Sequence, residues 1–357
     1  MKSLLYYNQL DIYKPEWCKD IPALKTYSVF SKAFNSGISL IDRTGTIKLP
    51  FNVVNRHPMP VKQDMSMTFE ELCYQTWDKI EQHIKQTMLR PVIMYSGGID
   101  STLIVSLMHT YASPGFKERL LIILNTNSIQ ENPMFYENII KRNYTMASSN
   151  SFENYFNEFN YIITGEFADN VFGSLTLKSS IDFFGTESII QNNYKVFAYD
   201  FFNHKIQNTT ETKFFLDQME QLIATCPWDI KTWSDYLWYQ NFAMKWQAVE
   251  FRILSHKNAD LIINDDYISK HICHFWQSQE WQQWALANPE GKIQNTWTSY
   301  KLPAKELIFK LTGDREYLIR KTKFPSLPGV FRYRRVSNFI TDKFEFVNDI
   351  DIKEYLC

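Results

Sequence analysis

The chain has 357 residues, 45% hydrophobic and 22% charged, with a formal charge of −1. That is the balance of a globular protein built from two or more units around a substantial core, and it gives no support for a nucleic-acid partner. The apolar run at Met1-Lys2-Ser3-Leu4-Leu5 is too short for a signal peptide, and no run of about 18 apolar residues exists to span a membrane. Five scattered cysteines show no framework spacing, so reduced thiols and a cytoplasmic location are expected.

Taken in order, residues 1–62 read as a short leading segment. Within it, Gly37 to Leu49 alternates around a glycine-containing turn, the pattern of a β-hairpin. His57-Pro58-Met59-Pro60 reads as a linker. Residues 63–357 form the main unit. Thr68 and Glu71 have the spacing of a capping box, and Phe69, Leu72, Cys73, Trp77, Ile80, Ile84 and Met88 then run down one helix face. Pro91-Val92-Ile93-Met94 reads as a buried strand, and Ser96-Gly97-Gly98 as a loop of small residues. Ser101 to Met108 carries an apolar face at helical spacing, and Pro114-Gly115 ends that helix. Leu120 to Leu124 is a second buried strand, and Tyr161-Ile162-Ile163 a third. Met134 to Lys141 and Phe152 to Phe159 read as helices between them. This alternation predicts an α/β fold, a parallel sheet with helices on both faces. Ser174 to Ile230 reads as an insertion or cap over the sheet. Trp233 to Leu254 reads as mostly helical, with Trp238, Phe242, Trp246 and Val249 on one side. The rest is a helical C-terminal part with loops, Phe324 to Gly329 among them.

Strand, glycine loop and helix together are the setting of a phosphate-binding motif. At Gly97 and Gly98 no Cβ keeps the backbone away from phosphate oxygens. Free amides and the positive dipole end at the helix start favour an anion. Ser96 and Ser101 can donate further hydrogen bonds. Asp100 is ill-placed beside phosphate unless a divalent cation lies between them, as Mg²⁺ does. The spacing is not that of the Walker-A loop, G-x-x-x-x-G-K-S/T. A second loop, Ile163 to Gly173, follows the third strand and brings Glu166 and Asp169. Ligands bind at the carboxyl ends of strands in such sheets, and both loops lie at such ends. Asp100 and Asp169 could share one Mg²⁺, with phosphate oxygens and water completing its octahedron.

Ser96-Gly97-Gly98-Ile99-Asp100-Ser101 resembles the S-G-G-x-D-S loop of the N-type ATP pyrophosphatases, the PP-loop superfamily. The second loop resembles a signature of the synthetase domain of asparagine synthetases and β-lactam synthetase, S/T-G-E-G-A/S-D-E-L/V-F-G-G. Thr164, Gly165, Glu166, Ala168, Asp169, Phe172 and Gly173 match it. Phe167 stands for a glycine, Asn170 for the second acid and Ser174 for the last glycine. Glu250-Phe251-Arg252 is similar to the end of the family's E-x-R helix, with Ile262-Ile263-Asn264-Asp265 the nearest counterpart of its P-F-L-D segment. Lys305-Glu306-Leu307-Ile308 resembles its K-x-x-L-R helix, and Arg320 to Phe324 its R-x-K-x-x-F loop. The resemblance runs from about residue 70 to about 330.

This resemblance implies an adenine nucleotide alpha hydrolase-like fold and an ATP-dependent, AMP-forming carbon–nitrogen ligase. Such an enzyme adenylates an aspartate-like carboxylate, releases pyrophosphate and transfers the acyl group to ammonia or an amine. The implied cofactors are ATP and Mg²⁺. Met94, Ser96, Gly97, Gly98, Asp100, Ser101, Asn125 and Gly165 would bind the nucleotide, and Asp100 and Asp169 the metal. Glu166 would be an acidic contact or a base for the amine. Lys321 would stabilise charge at the α-phosphate or the tetrahedral oxyanion, with Lys323 its rival. Lys2 follows Met1 and the leading segment is short, so no glutaminase domain of the family is expected. Nitrogen would then come from free ammonia, a substrate amine or a separate amidotransferase partner; no nucleic-acid or membrane partner is expected. Phe167 is expected to reshape the pocket. Two alternatives stay open: adenylation of a different substrate, in a tailoring amidation or β-lactam-like ring closure, or a degenerate nucleotide-binding module without turnover.

Other chemistry-bearing residues read as structural. His271, Cys273 and His274 have no structural zinc spacing and are taken as helix surface and core. Arg332, Arg334 and Arg335 are taken as a solvated edge.

Overall fold

Strand β2, Arg90–Met94, sits at the centre of a five-stranded sheet, and both of its faces are covered. Ile93 points into one apolar cluster with Ile122 and Ile163, while Val92 points into a second with Leu121, Ile123 and Ile162. A sheet buried on both faces needs continuous apolar strands rather than alternating ones, which is why these runs are legible. The computed structural model describes residues 2–8, 12, 21–34, 39–47, 49–173, 175–190, 193–258, 260–294, 296–321 and 337–357.

The other strands of this sheet are β3 (Leu121–Leu124), β4 (Thr145–Ser148), β5 (Asn160–Thr164) and β6 (Ile272–His274). Their order is β4-β3-β2-β5-β6, with every pair parallel. The chain therefore grows outward from β2 in one direction through β3 and β4, then returns to add β5 and β6 on the other side. The loops leaving β2 and β5 diverge, and that divergence is the usual crevice of an open parallel sheet.

Helix Phe69–Thr87 lays Leu72, Cys73, Trp77, Ile80 and Ile84 against the first face, beside the almost wholly buried helix Ile99–Tyr111. The second face is covered by Phe251 and Leu254 of helix Trp246–Leu254, Tyr267 of helix Asp265–His271, and Phe152. The coarse expectation of an α/β protein with helices on both faces of a parallel sheet is met. Among the described residues no helix is long and apolar enough to cross a membrane.

Several elements differ from expectation. Residues 39–47 hold a turn and no strand; the Asp42 carboxylate accepts from the amides of Thr44 (2.9 Å) and Ile47 (2.6 Å), so a local side-chain bond replaces the expected hairpin ladder. The N-terminal strand is instead β1, Leu4–Tyr7. It pairs antiparallel with β7 (Phe339–Thr341), which pairs with β8 (Phe346–Val347). Phe152 to Phe159 is not an α-helix; a 3₁₀ segment spans Ser149–Tyr155. Ile272–His274 is an edge strand and not helix surface. Residues 133–143 are helical as expected, with a π-helical middle at Tyr136–Ile140.

The stretch after the second loop forms helices Leu175–Phe184, Lys195–Ile206 and Thr209–Ile223. Phe202 and Phe215 pack on each other, and they meet Trp233 and Phe30 respectively. Helix Trp233–Met244 is buried on nearly every side and breaks at Lys245 before Trp246–Leu254 begins. Arg43 is buried over Phe242 and Trp246 and donates to the carbonyls of Phe242 (3.1 Å), His57 (2.5 Å) and Pro58 (3.3 Å), so it fixes the expected linker in place.

The capping box at Thr68 is complete: the Glu71 amide donates to Thr68 Oγ1 (3.2 Å) and the Thr68 amide to the Glu71 carboxylate (2.8 Å). Thr68→Ala is expected to lower stability by about 1 kcal/mol. A urea titration should show a lower midpoint at an unchanged slope.

Candidate functional site

The glycine loop closes on itself. The Ser96 amide donates to Ser101 Oγ (3.1 Å), the Gly98 amide to Ser96 Oγ (3.3 Å), and Ser101 Oγ to the Gly98 carbonyl (3.3 Å). Gly98 caps helix Ile99–Tyr111 without a side-chain bond, which leaves first-turn amides for another acceptor. Gly97 has φ +79°, and a Cβ there would stand 2.2 Å from the Ser128 carbonyl oxygen and 2.9 Å from Glu131 Cβ. Only glycine satisfies both the left-handed backbone and that approach.

The second loop touches the first. A Cβ on Gly165 would lie 3.2 Å from both Asp100 Cβ and the Ser101 amide nitrogen. From this junction the two expected metal carboxylates converge on one cation. Lys301 Nζ lies 2.6 and 2.7 Å from the two Asp100 oxygens and 2.9 Å from Asp169 Oδ1. Tyr300 donates to the same Asp169 oxygen at 3.3 Å. Lys301 is 1% exposed. Burial works against its charge, yet Asp100 and Asp169 outweigh it and hold its pKa above the ordinary lysine value.

Glu166 is partly buried and pairs with Arg252, so residues of two separate motifs meet. Burial raises its pKa, with Asp169 and Asp100 adding to the rise while Arg252 opposes it. Phe167, in the glycine position of the resembled signature, takes φ +72°. Its ring turns away into the core against Trp246 (4.8 Å between centroids) and His274 (5.1 Å). Lys301, and not this ring, meets the oxygens of Asp100 and Asp169. Asn170 is buried and its carbonyl accepts from the Trp238 indole at 3.0 Å.

Lys321 reaches the back of the glycine loop. Its ammonium lies 3.0 Å from Glu131 Oε1, 3.2 Å from the Glu131 carbonyl and 3.5 Å from the Gly97 carbonyl. Asn125 spends its side chain locally: it caps helix Thr126–Glu131 through the Ser128 amide (2.9 Å) and donates to Ser149 Oγ (3.2 Å), which leaves only its backbone for a ligand. Met94 is the last residue of β2, partly buried on the face of the second apolar cluster. Lys323, Phe324, Arg332, Arg334, Arg335 and Ser174 lie outside the described residues.

Sequence reasoning missed Lys301 and Glu131. Lys301 stands at φ +57° just before helix Leu302–Thr312, whose first turn carries Pro303. Pro303 signals only that a helix opens near Lys301. Glu131 had no signal; only the fold brings it to Gly97.

Among the described residues no group of three or more His, Cys, Asp and Glu gathers to hold a metal. Mg²⁺ needs only one or two carboxylates when phosphate supplies the rest, and the oxygens of Asp100 and Asp169 already share one cation, so the donor set fits. No protein-family model matches the chain, and a search of curated proteins finds no similar sequence.

His274 of β6 braces the second loop. Its Nδ1 lies 2.7 Å from Thr164 Oγ1, which accepts from the Glu166 amide at 3.3 Å. Burial pushes its pKa down to about 4. A depressed folded-state value means the unfolded chain binds the extra proton first, so the stability His274 contributes is intact above the unfolded value of about 6.5 and is lost as pH falls toward 4. Urea unfolding at pH 7, 6 and 5 should show stability dropping with acid more steeply in the wild type than in His274→Gln. Parallel slopes would contradict this.

Proposed function

We propose that the protein is an ATP-dependent, AMP-forming ligase that activates a carboxylate and passes it to ammonia or an amine, in the manner of asparagine synthetases. The observation that carries this reading is the meeting of Asp100 and Asp169, from the helix starts after two different strands, on one cation beside a helix start without a side-chain cap. Supporting it, the glycine loop and the Glu166 turn are in contact at Gly165.

A carboxylate cannot exchange oxide for an amine unaided, because oxide is a hopeless leaving group. Attack of the carboxylate on the α-phosphorus of ATP forms an acyl-adenylate and expels pyrophosphate. Attack of the amine on the acyl carbon then expels AMP. The first-turn amides and the Ser96 and Ser101 hydroxyls would hold the departing diphosphate. Asp100 and Asp169 would hold Mg²⁺, which would neutralise phosphate charge. Lys301 would turn its ammonium from the carboxylates toward phosphate oxygens once the metal is held. Glu166 would accept a proton from the amine, its raised pKa suiting it to a base that must also release that proton. Lys321 would offset charge at the α-phosphate.

The test is pyrophosphate release with aspartate plus ammonia, then with a panel of acids and amines, each beside Asp100→Asn. Release that needs the acid and falls by about 10²- to 10³-fold in the variant is expected. Nucleotide binding without release from any pair would favour the non-catalytic module.

A further inference from the structure

Lys321 is held at both ends by residues that belong to no part of the phosphate loop. Its ammonium sits on Glu131, through Oε1 at 3.0 Å and the carbonyl at 3.2 Å. Its own carbonyl accepts from Lys305 Nζ at 3.1 Å, and the same Lys305 ammonium donates to the Thr298 carbonyl. Lys305 is fully buried, so this second hold is inside the protein. Helix Thr126–Glu131 reaches the loop because Gly97 has no side chain to keep it away.

The Glu131–Lys321 pair costs more than a surface pair would. The side chains are 3% and 10% exposed, and Glu131 Oε2 is buried with no hydrogen-bond partner among the described residues. Buried ion pairs add little stability over apolar residues of similar size, so stability alone gives no reason for this one. What it does achieve is placement: a long, rotatable side chain is fixed with its charge against the Gly97 carbonyl (3.5 Å).

We propose that Glu131 is a positioning residue that sets the Lys321 ammonium against the glycine loop before substrate arrives. This rests on the reading of Lys321 as the lysine that offsets charge at the α-phosphate. A charge already in place need not be ordered during the reaction, and a shift of about 1 Å in such a group can cost on the order of 10²-fold in rate.

The experiment uses the full chain as wild type, Glu131→Gln, Glu131→Asp, Lys321→Ala and the double variant Lys321→Ala/Glu131→Gln. With a turning-over acid and amine, Glu131→Gln should lower kcat by about 10- to 100-fold while KM for ATP stays within about twofold. Glu131→Asp should recover part of the loss. In the Lys321→Ala background the Glu131 change should add nothing, since both act through one ammonium. Losses that multiply, or a kcat near wild type in Glu131→Gln, overturn the proposal. A second readout needs no turnover: labelling by an amine-reactive succinimidyl ester, mapped by peptide mass spectrometry. Lys321 should label several-fold faster in both Glu131 variants, with other lysines unchanged; equal labelling overturns the proposal. Faster labelling in a protein that releases no pyrophosphate from any pair upholds the placement and removes the ligase reading. If Glu131→Gln fails to fold, Glu131→Asp carries both readouts.

Discussion

One ammonium holds the candidate site together. Lys301 bonds three oxygens of two carboxylates that arrive on different elements, Asp100 on the helix after β2 and Asp169 on the short helix Ala168–Phe172 after β5. Without a shared cation, two carboxylates brought together by Gly165 would repel and push the turns apart. The close approach at Gly165, the register of β2 against β5 and the left-handed backbone at Lys301 all serve that convergence. The ion pairs around it are Asp100 and Asp169 with Lys301, Glu166 with Arg252, and Glu131 with Lys321, and the buried Lys245 is close enough to feel Asp169. On the proposed reading a nucleotide triphosphate brings further negative charge, which Mg²⁺ would offset.

The parts legible in the sequence are those whose signal is local. β2, β3 and β5 are apolar runs because both faces of the sheet are covered, and the capping box at Thr68 is a four-residue pattern. Glu166 and Arg252 each lie in a resembled motif, but only the fold shows that they pair. β4 was missed because Thr145-Met146-Ala147-Ser148 is a mostly exposed edge strand that carries no apolar run. β6 was missed because it has three residues, and its histidine is there to bond Thr164. β1 pairs with a strand more than 330 residues away, which no window of sequence reveals. Lys301 and Glu131 look like ordinary surface residues until the sheet order brings their helices to the loops.

Phe167 stands where the resembled signature has glycine, and it takes a left-handed backbone. A bulky residue in the left-handed region costs about 1–2 kcal/mol. Burying a phenyl ring returns about 1.5–3 kcal/mol, and this ring is 2% exposed. The two terms are of one size, so the turn can keep the conformation a glycine would take while anchoring itself to Trp246 and His274. Those anchors lie on helix Trp246–Leu254 and on β6. The same helix carries Arg252, the partner of Glu166. Phe167 thus ties the acidic turn to the element that pairs its carboxylate. Its ring contacts are with Trp246 and His274, while Lys301 meets the oxygens of Asp100 and Asp169.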